Sequence, residues 1–143
     1  MAEARIEDTP AAVPAGWKAV PRSDTFSGVA GPYYFREGDA PGVGFVAEKR
    51  HLNLGGIVHG GCLATLADMS LWDICRREIG PFRAVTVTLN TEFLAPGQLG
   101  EFIYAEGDAL KTGKSLLFSR GVIRSGDRAL MSFSGTLKRL DPS

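Results

Sequence analysis

The stretch from His51 to Ser70, H-L-N-L-G-G-I-V-H-G-G-C-L-A-T-L-A-D-M-S, most constrains what this chain can fold into. It opens as a polar, glycine-rich loop and runs on into a helix. From Gly60 to Glu78 there is no proline, and Cys62, Leu63, Ala64, Leu66, Ala67, Met69, Leu71, Trp72, Ile74 and Cys75 leave no polar stripe through the first three turns. A helix that is apolar all round is wrapped by other structure rather than laid on a surface. At 1.5 Å per residue it spans roughly 25–30 Å, and Gly80-Pro81 is a natural stop. Charge returns at Asp73, Arg76, Arg77 and Glu78, so the far end is expected to reach water. Asp73 and Arg77 form an i,i+4 pair worth a few tenths of a kcal/mol, and Asp73 reads as part of a solvated helix face.

Asp68 is the exception inside the apolar run. Its helical neighbours are Ala64, Thr65, Leu71 and Trp72, with no lysine or arginine within four residues. An unpaired buried carboxylate costs several kcal/mol. Either it caps a buried amide, as a structural acid, or it faces a cleft as an acid or base whose pKa the apolar surroundings shift. The helix start offers a second feature. His59-Gly60-Gly61 brings bare backbone N–H groups to the positive end of the helix dipole. Glycine permits close approach of a ligand atom, so this is an anion or oxyanion site or else simply a tight loop. No GxGxxG or GxxxxGK[ST] pattern points to a nucleotide phosphate.

Whole-chain properties exclude several classes. The 143 residues carry sixteen basic and sixteen acidic side chains, which leaves no electrostatic footprint for nucleic acid. There is no apolar run of membrane-spanning length, and the N-terminus lacks the pattern of a secretory signal. Cys62 and Cys75 stand about 20 Å apart on one helix, too far to bridge. They read as core thiols of a reducing compartment, with cytoplasm the default. Two histidines, His51 and His59, and no cysteine cluster argue against a zinc site, and no metal or cofactor is expected.

The rest of the chain reads as strands. Residues 1–25 are taken as a flexible arm on their prolines and small residues, with Trp17 pinning it down. Residues 26–143 are taken as a single domain. Phe26 to Pro32 is a turn-rich entry; Tyr33-Tyr34-Phe35 and Val43 to Arg50 form a hairpin about the turn at Gly38–Gly42. After the helix, Ala84 to Leu94 alternates, with Val85, Val87 and Leu89 opposite Thr86, Thr88 and Asn90. Glu101 to Leu110, Ser115 to Arg124 and Arg128 to Leu140 follow, joined by short turns that imply antiparallel neighbours. The expectation is an α+β domain in which a sheet of five or six antiparallel strands curls around one long helix, with a second copy closing the rest.

That arrangement resembles the hotdog fold. Asn53, the run Gly56-Ile57-Val58-His59-Gly60-Gly61, and Asp68 nine residues past the histidine resemble the signature of the PaaI-like acyl-CoA thioesterases. The similarity continues through Val85–Asn90, Phe93-Leu94-Ala95-Pro96 and Gly100, and covers roughly residues 33 to 140. The resemblance implies hydrolysis of an acyl- or aryl-CoA thioester to free acid and coenzyme A. It implies that the Gly60 N–H holds the thioester carbonyl, that Asn53 helps to hold the carbonyl or the water, that Asp68 is general base or nucleophile, and that Thr86 helps to place the water. His59 and Gly61 would lie against the substrate. It further implies homodimers, often paired into homotetramers, with Asn53 and Gly60 from one subunit meeting Asp68 and Thr86 from the other.

Two other readings stand beside this one. A hotdog hydratase or dehydratase acting on enoyl or hydroxyacyl thioesters would use His51 or His59 with an acid, although bracing the loop is the plainer role for both. An acyl-CoA-binding module without turnover is the second. Lys111, Lys114, Arg120, Arg124 and Arg128 are solvated surface charges by default, or contacts for coenzyme A phosphates.

Overall fold

The computed structural model describes residues 12–140. In chain order the elements are β1 (Trp17–Ala19), α1 (Phe26–Ala30), β2 (Tyr34–Arg36), β3 (Val43–Val46), α2 (Gly60–Ile79), β4 (Ala84–Phe93), β5 (Phe102–Thr112), β6 (Leu116–Ser125) and β7 (Arg128–Arg139), with a 3-10 turn at Lys49–His51. All strands join one antiparallel sheet in the order β1-β2-β3-β5-β6-β7-β4. The sheet curls around α2, as the alternating strands and the apolar helix imply.

The strand count is seven rather than five or six. The addition is β1, inside the segment read as an arm. Its Trp17 ring packs edge-on against Phe102 and Tyr104, at centroid distances of 5.0 and 5.6 Å. Three residues carry too little periodic signal to reveal such a strand. Residues 1–11 of the arm lie outside the described residues. The turn-rich entry contains the short helix α1, and the second strand of the hairpin stops at Val46.

Helix α2 starts where the residues require. His59 is its N-cap, with the ring Nδ1 accepting the Gly61 N–H at 2.8 Å. It ends at Gly80, whose φ of +82° suits the residue beyond a helix and whose N–H returns to the Arg76 carbonyl. Leu63, Leu66, Leu71 and Ile74 fill the concave face of the sheet. The approach is close: a Cβ on Gly135 would sit 2.4 Å from a Leu71 methyl, so only glycine lets the helix lie this near β7.

Two helix expectations are corrected. First, α2 is not covered all round. Gly61, Asp68 and Trp72, with half-buried Thr65 between them, form an exposed stripe, because the sheet wraps the helix without closing. Second, Asp73 is not solvated. It is 1% exposed and accepts hydrogen bonds from the Gly42 N–H (2.8 Å), Arg76 Nη2 (2.7 Å) and Arg77 Nε (3.2 Å). The β2–β3 turn folds over the end of the helix, and Arg77 ties it down through the carbonyls of Arg36 and Ala40.

Candidate active site

Asp68 and Thr86 meet. The Thr86 hydroxyl donates to Asp68 Oδ1 at 2.6 Å, although α2 and β4 are separate elements. A plain strand would not bring this about. Leu89 pairs with Gly135 and lies over the helix, so strict alternation would turn Thr86 outward with Thr88. The β4–β7 register slips between Thr86 and Thr88, leaving Val87 as an extra residue. This bulge puts Thr86 opposite Leu137, on the face that looks at α2. The alternation read from the sequence is therefore corrected at Thr86.

The pair stands at the mouth of a recess of about 260 Å³ lined by Phe35, Asp68, Met69, Trp72, Ala84, Thr86 and Leu137. Asp68 has no basic partner among the described residues, and it is exposed rather than enclosed. It is not a structural acid capping a buried amide.

Asn53 and Gly60 lie in a different recess, of about 380 Å³, with Ile57, Val58, Leu63, Phe93, Leu94, Ala95 and Pro96. Asn53 Oδ1 accepts the N–H of Gly55 at 2.9 Å and of Ile57 at 3.3 Å, which shapes the loop. The Gly60 N–H has no acceptor among the described residues and stands at the dipole's positive end. The Phe93 ring flanks it so closely that a Cβ on Gly60 would lie 3.2 Å from that ring. The wall at Pro96 is anchored from behind: Arg128 donates to the Pro96 carbonyl at 2.7 Å and to Glu101 at 2.9 Å. Glu101 also accepts from Ser125 and from the Gln98 N–H.

Within one chain the two groups cannot serve one carbonyl. Gly60 and Asp68 are eight residues apart on the same helix, about 12 Å along its axis.

The remaining residues take plainer places. His51 is buried; its Nδ1 accepts the Glu48 N–H at 2.9 Å and its Nε2 bonds the Ala30 carbonyl at 2.7 Å. Both ring nitrogens are thus engaged. His59 caps the helix through the Gly61 N–H, and both residues edge a groove beside α1. Arg120, Arg124 and Arg128 pair with Asp108, Glu106 and Glu101. Burial pushes the Cys62 thiol up to about 11, against a small opposing effect of Arg50, so it is protonated at neutral pH. A further concavity, of about 550 Å³, lies across β5, β6, β7 and β4 and contains none of Asn53, Gly60, Asp68 and Thr86. Among the described residues no helix is long and apolar enough to cross a membrane.

Comparison with known proteins identifies the family and the fold. Residues 55–132 match the model of the thioesterase superfamily. A Pseudomonas aeruginosa protein carrying an inferred esterase name is 32% identical over 127 residues, covering 86% of this chain and 94% of its own. Human acyl-coenzyme A thioesterase 13 is 38% identical over 76 residues, 50% of this chain and 51% of that one, so the match spans about half of each. The solved PaaI protein of E. coli superposes with a TM-score of 0.67 over 76% of this chain and 78% of its own; at 23% identity this bears on the fold alone. The chain belongs to the thioesterase superfamily and has the PaaI-like hotdog fold.

Proposed function

We propose that this thioester hydrolase acts on acyl-CoA thioesters at a composite site between two copies of the chain. The observation that carries this reading is the separation just described. The acid–hydroxyl pair and the free helix N–H sit in two half-sites about 12 Å apart along one helix, and each half has an open face. A second copy related by a two-fold axis would set the Asp68–Thr86 half of one subunit against the Asn53–Gly60 half of the other. Strand β4 supports such a pairing. It is a ten-residue edge strand with Val85 and Val87 half exposed, and an unprotected edge of that length invites another strand. Pairing of dimers into a tetramer follows from the family resemblance. Two free thiols, Cys62 and Cys75, fit a reducing cytoplasm.

In the proposed reaction the thioester carbonyl oxygen accepts the Gly60 N–H, with Asn53 holding the carbonyl or the water. Asp68 takes a proton from a water placed by Thr86, and the hydroxide adds to the carbonyl carbon. Negative charge collects on the oxygen facing the helix N-terminus. The carbon–sulfur bond then breaks, the thiolate of coenzyme A recovers the proton, and the free acid leaves. In the covalent variant Asp68 itself attacks and water resolves the anhydride. His59 and Gly61 serve by shaping the loop that presents Gly60. The engagement of both His51 nitrogens counts against a hydratase that depends on it.

The test is thiol release from a panel of acyl-CoAs, combined with subunit mixing. Asp68→Asn and Asn53→Ala are each expected to be inactive alone. Equal mixing after dissociation should restore about one quarter of wild-type activity, because a mixed dimer has one site with both lesions and one with neither. Release by the wild type without recovery on mixing would overturn the composite site. No release from any acyl-CoA, with binding retained, would leave the non-catalytic module.

A further inference from the structure

Trp72 lies one helical turn beyond Asp68 on the exposed stripe of α2, and it is 37% exposed. Its ring is packed against two neighbouring side chains. It stands 6.3 Å from the Phe35 ring, and the Arg76 guanidinium covers both, 4.9 Å from the Trp72 centroid and 5.1 Å from that of Phe35. Arg76 in turn is held at 2.7 Å by Asp73, the buried carboxylate that also receives Gly42 and Arg77. A guanidinium over an aromatic face is attractive, and a buried anion fixes where that guanidinium can be. The indole is therefore clamped to the helix end and the β2–β3 turn.

This clamped ring walls the recess that holds Asp68 and Thr86. Apart from those two residues the lining is Phe35, Met69, Trp72, Ala84 and Leu137, all apolar. The phosphates of coenzyme A have no partner there, whereas a hydrocarbon chain does. An apolar cavity of about 150 Å³ holds a benzene molecule; on that yardstick a recess of about 260 Å³ takes up to roughly ten carbon atoms.

We propose that Trp72 determines the acyl-length limit of this enzyme: its indole forms the end wall of the acyl recess beside Asp68, and Arg76 is the positioning residue that keeps it there. The proposal rests on the acyl-CoA reading above.

The experiment uses S-alkyl-CoA thioethers from butyl to hexadecyl, which cannot be hydrolysed, titrated calorimetrically into the full chain, with thiol release from matching acyl-CoAs alongside. The wild type should gain affinity with length up to a limit and lose it beyond. Trp72→Ala should move that limit by several carbons and bind the longest thioethers at least about tenfold better than the wild type does, in line with the value of apolar contacts in such pockets. Trp72→Phe should restore most of the limit. Arg76→Met keeps Asp73 partnered by Arg77 and Gly42, and should blur the limit while circular dichroism and size stay unchanged. An unmoved limit in Trp72→Ala, or a uniform loss across all lengths, overturns the proposal and leaves the acyl-CoA reading standing. If Trp72→Ala fails to fold, Trp72→Leu and Arg76→Met decide on the same readout. A wild type that binds no thioether and releases no thiol overturns the acyl-CoA reading, and this proposal with it.

Discussion

The Thr86 hydroxyl and the Asp68 carboxylate are joined by a 2.6 Å hydrogen bond that depends on a one-residue bulge at Val87. If Asp68 is the proton acceptor, Asp68→Asn keeps an oxygen for Thr86 and the local structure, yet cannot take a proton. Turnover of acyl-CoA should fall roughly 10²–10⁴-fold, the range for loss of general base catalysis. Thr86→Ala should cost less, about tenfold, as the loss of one hydrogen bond to a charged group implies, and Thr86→Ser should recover it. Steady-state thiol release checks both, and an Asp68→Asn enzyme with full activity would remove Asp68 from the mechanism.

The Gly60 N–H can be removed without disturbing the helix. Gly60 is the first residue of α2, a position where proline is tolerated because its N–H has no helical partner. The preceding His59 has φ −61° and ψ 135°, the extended conformation that proline demands of its predecessor. Gly60→Pro should therefore fold, with a small shift of the exposed Phe93 ring, while turnover drops roughly 10²–10³-fold as for loss of one oxyanion donor. Gly60→Ala, which keeps the N–H but crowds Phe93, is the control. Equal losses in the two variants would attribute the effect to crowding.

Much of this is legible in the sequence. The glycine-opened helix and its stop at Gly80-Pro81, the hairpin turns, and the spacing of Asn53, Gly60 and Asp68 are all local patterns. What stayed hidden is tertiary. The residues Val85-Thr86-Val87-Thr88-Leu89 alternate without a break, so nothing in them announces the extra residue that turns Thr86 toward α2. The same holds for Asp73: its i,i+4 spacing to Arg77 was visible, but its burial comes from Gly42, thirty-one residues away on a turn. The helix stripe at Gly61, Asp68 and Trp72 misled in the opposite direction. It carries apolar and acidic residues fit for covering, and one chain does not supply the cover.

Asp73 should matter for stability more than for chemistry. Removing one member of a buried charge cluster strands its partners, at a cost of about 3 kcal/mol; here Asp73→Ala would leave Arg76, Arg77 and the Gly42 N–H without their shared acceptor. Urea unfolding should show a midpoint lowered accordingly, with Asp73→Asn between the variant and wild type. The same substitution should release the stack over Phe35 and Trp72. A midpoint within error of wild type would mean that the two arginines find other acceptors.

Glu101 is expected to make the loop behind Gly60 acid-sensitive. The hydrogen bond from Arg128, aided by those from Ser125 and the Gln98 N–H, holds its carboxyl down at about 2, against a smaller upward push from burial. A carboxylate depressed on folding contributes stability above its unfolded value, and that contribution is lost as pH falls through the window from about 4.5 to about 2. The cluster is partly exposed, so solvent screening limits the contribution to about 1 kcal/mol. Glu101→Gln should therefore be less stable than wild type at neutral pH by about that amount, and the gap should close as acid protonates the native glutamate. Arg128 also holds the Pro96 carbonyl, and Pro96 walls the recess of Asn53 and Gly60; the variant should accordingly raise KM before it lowers kcat. Urea midpoints across the acid range check the first effect and thiol-release kinetics at neutral pH the second, and a gap that persists unchanged at the acid end would assign the stabilisation to shape rather than to charge.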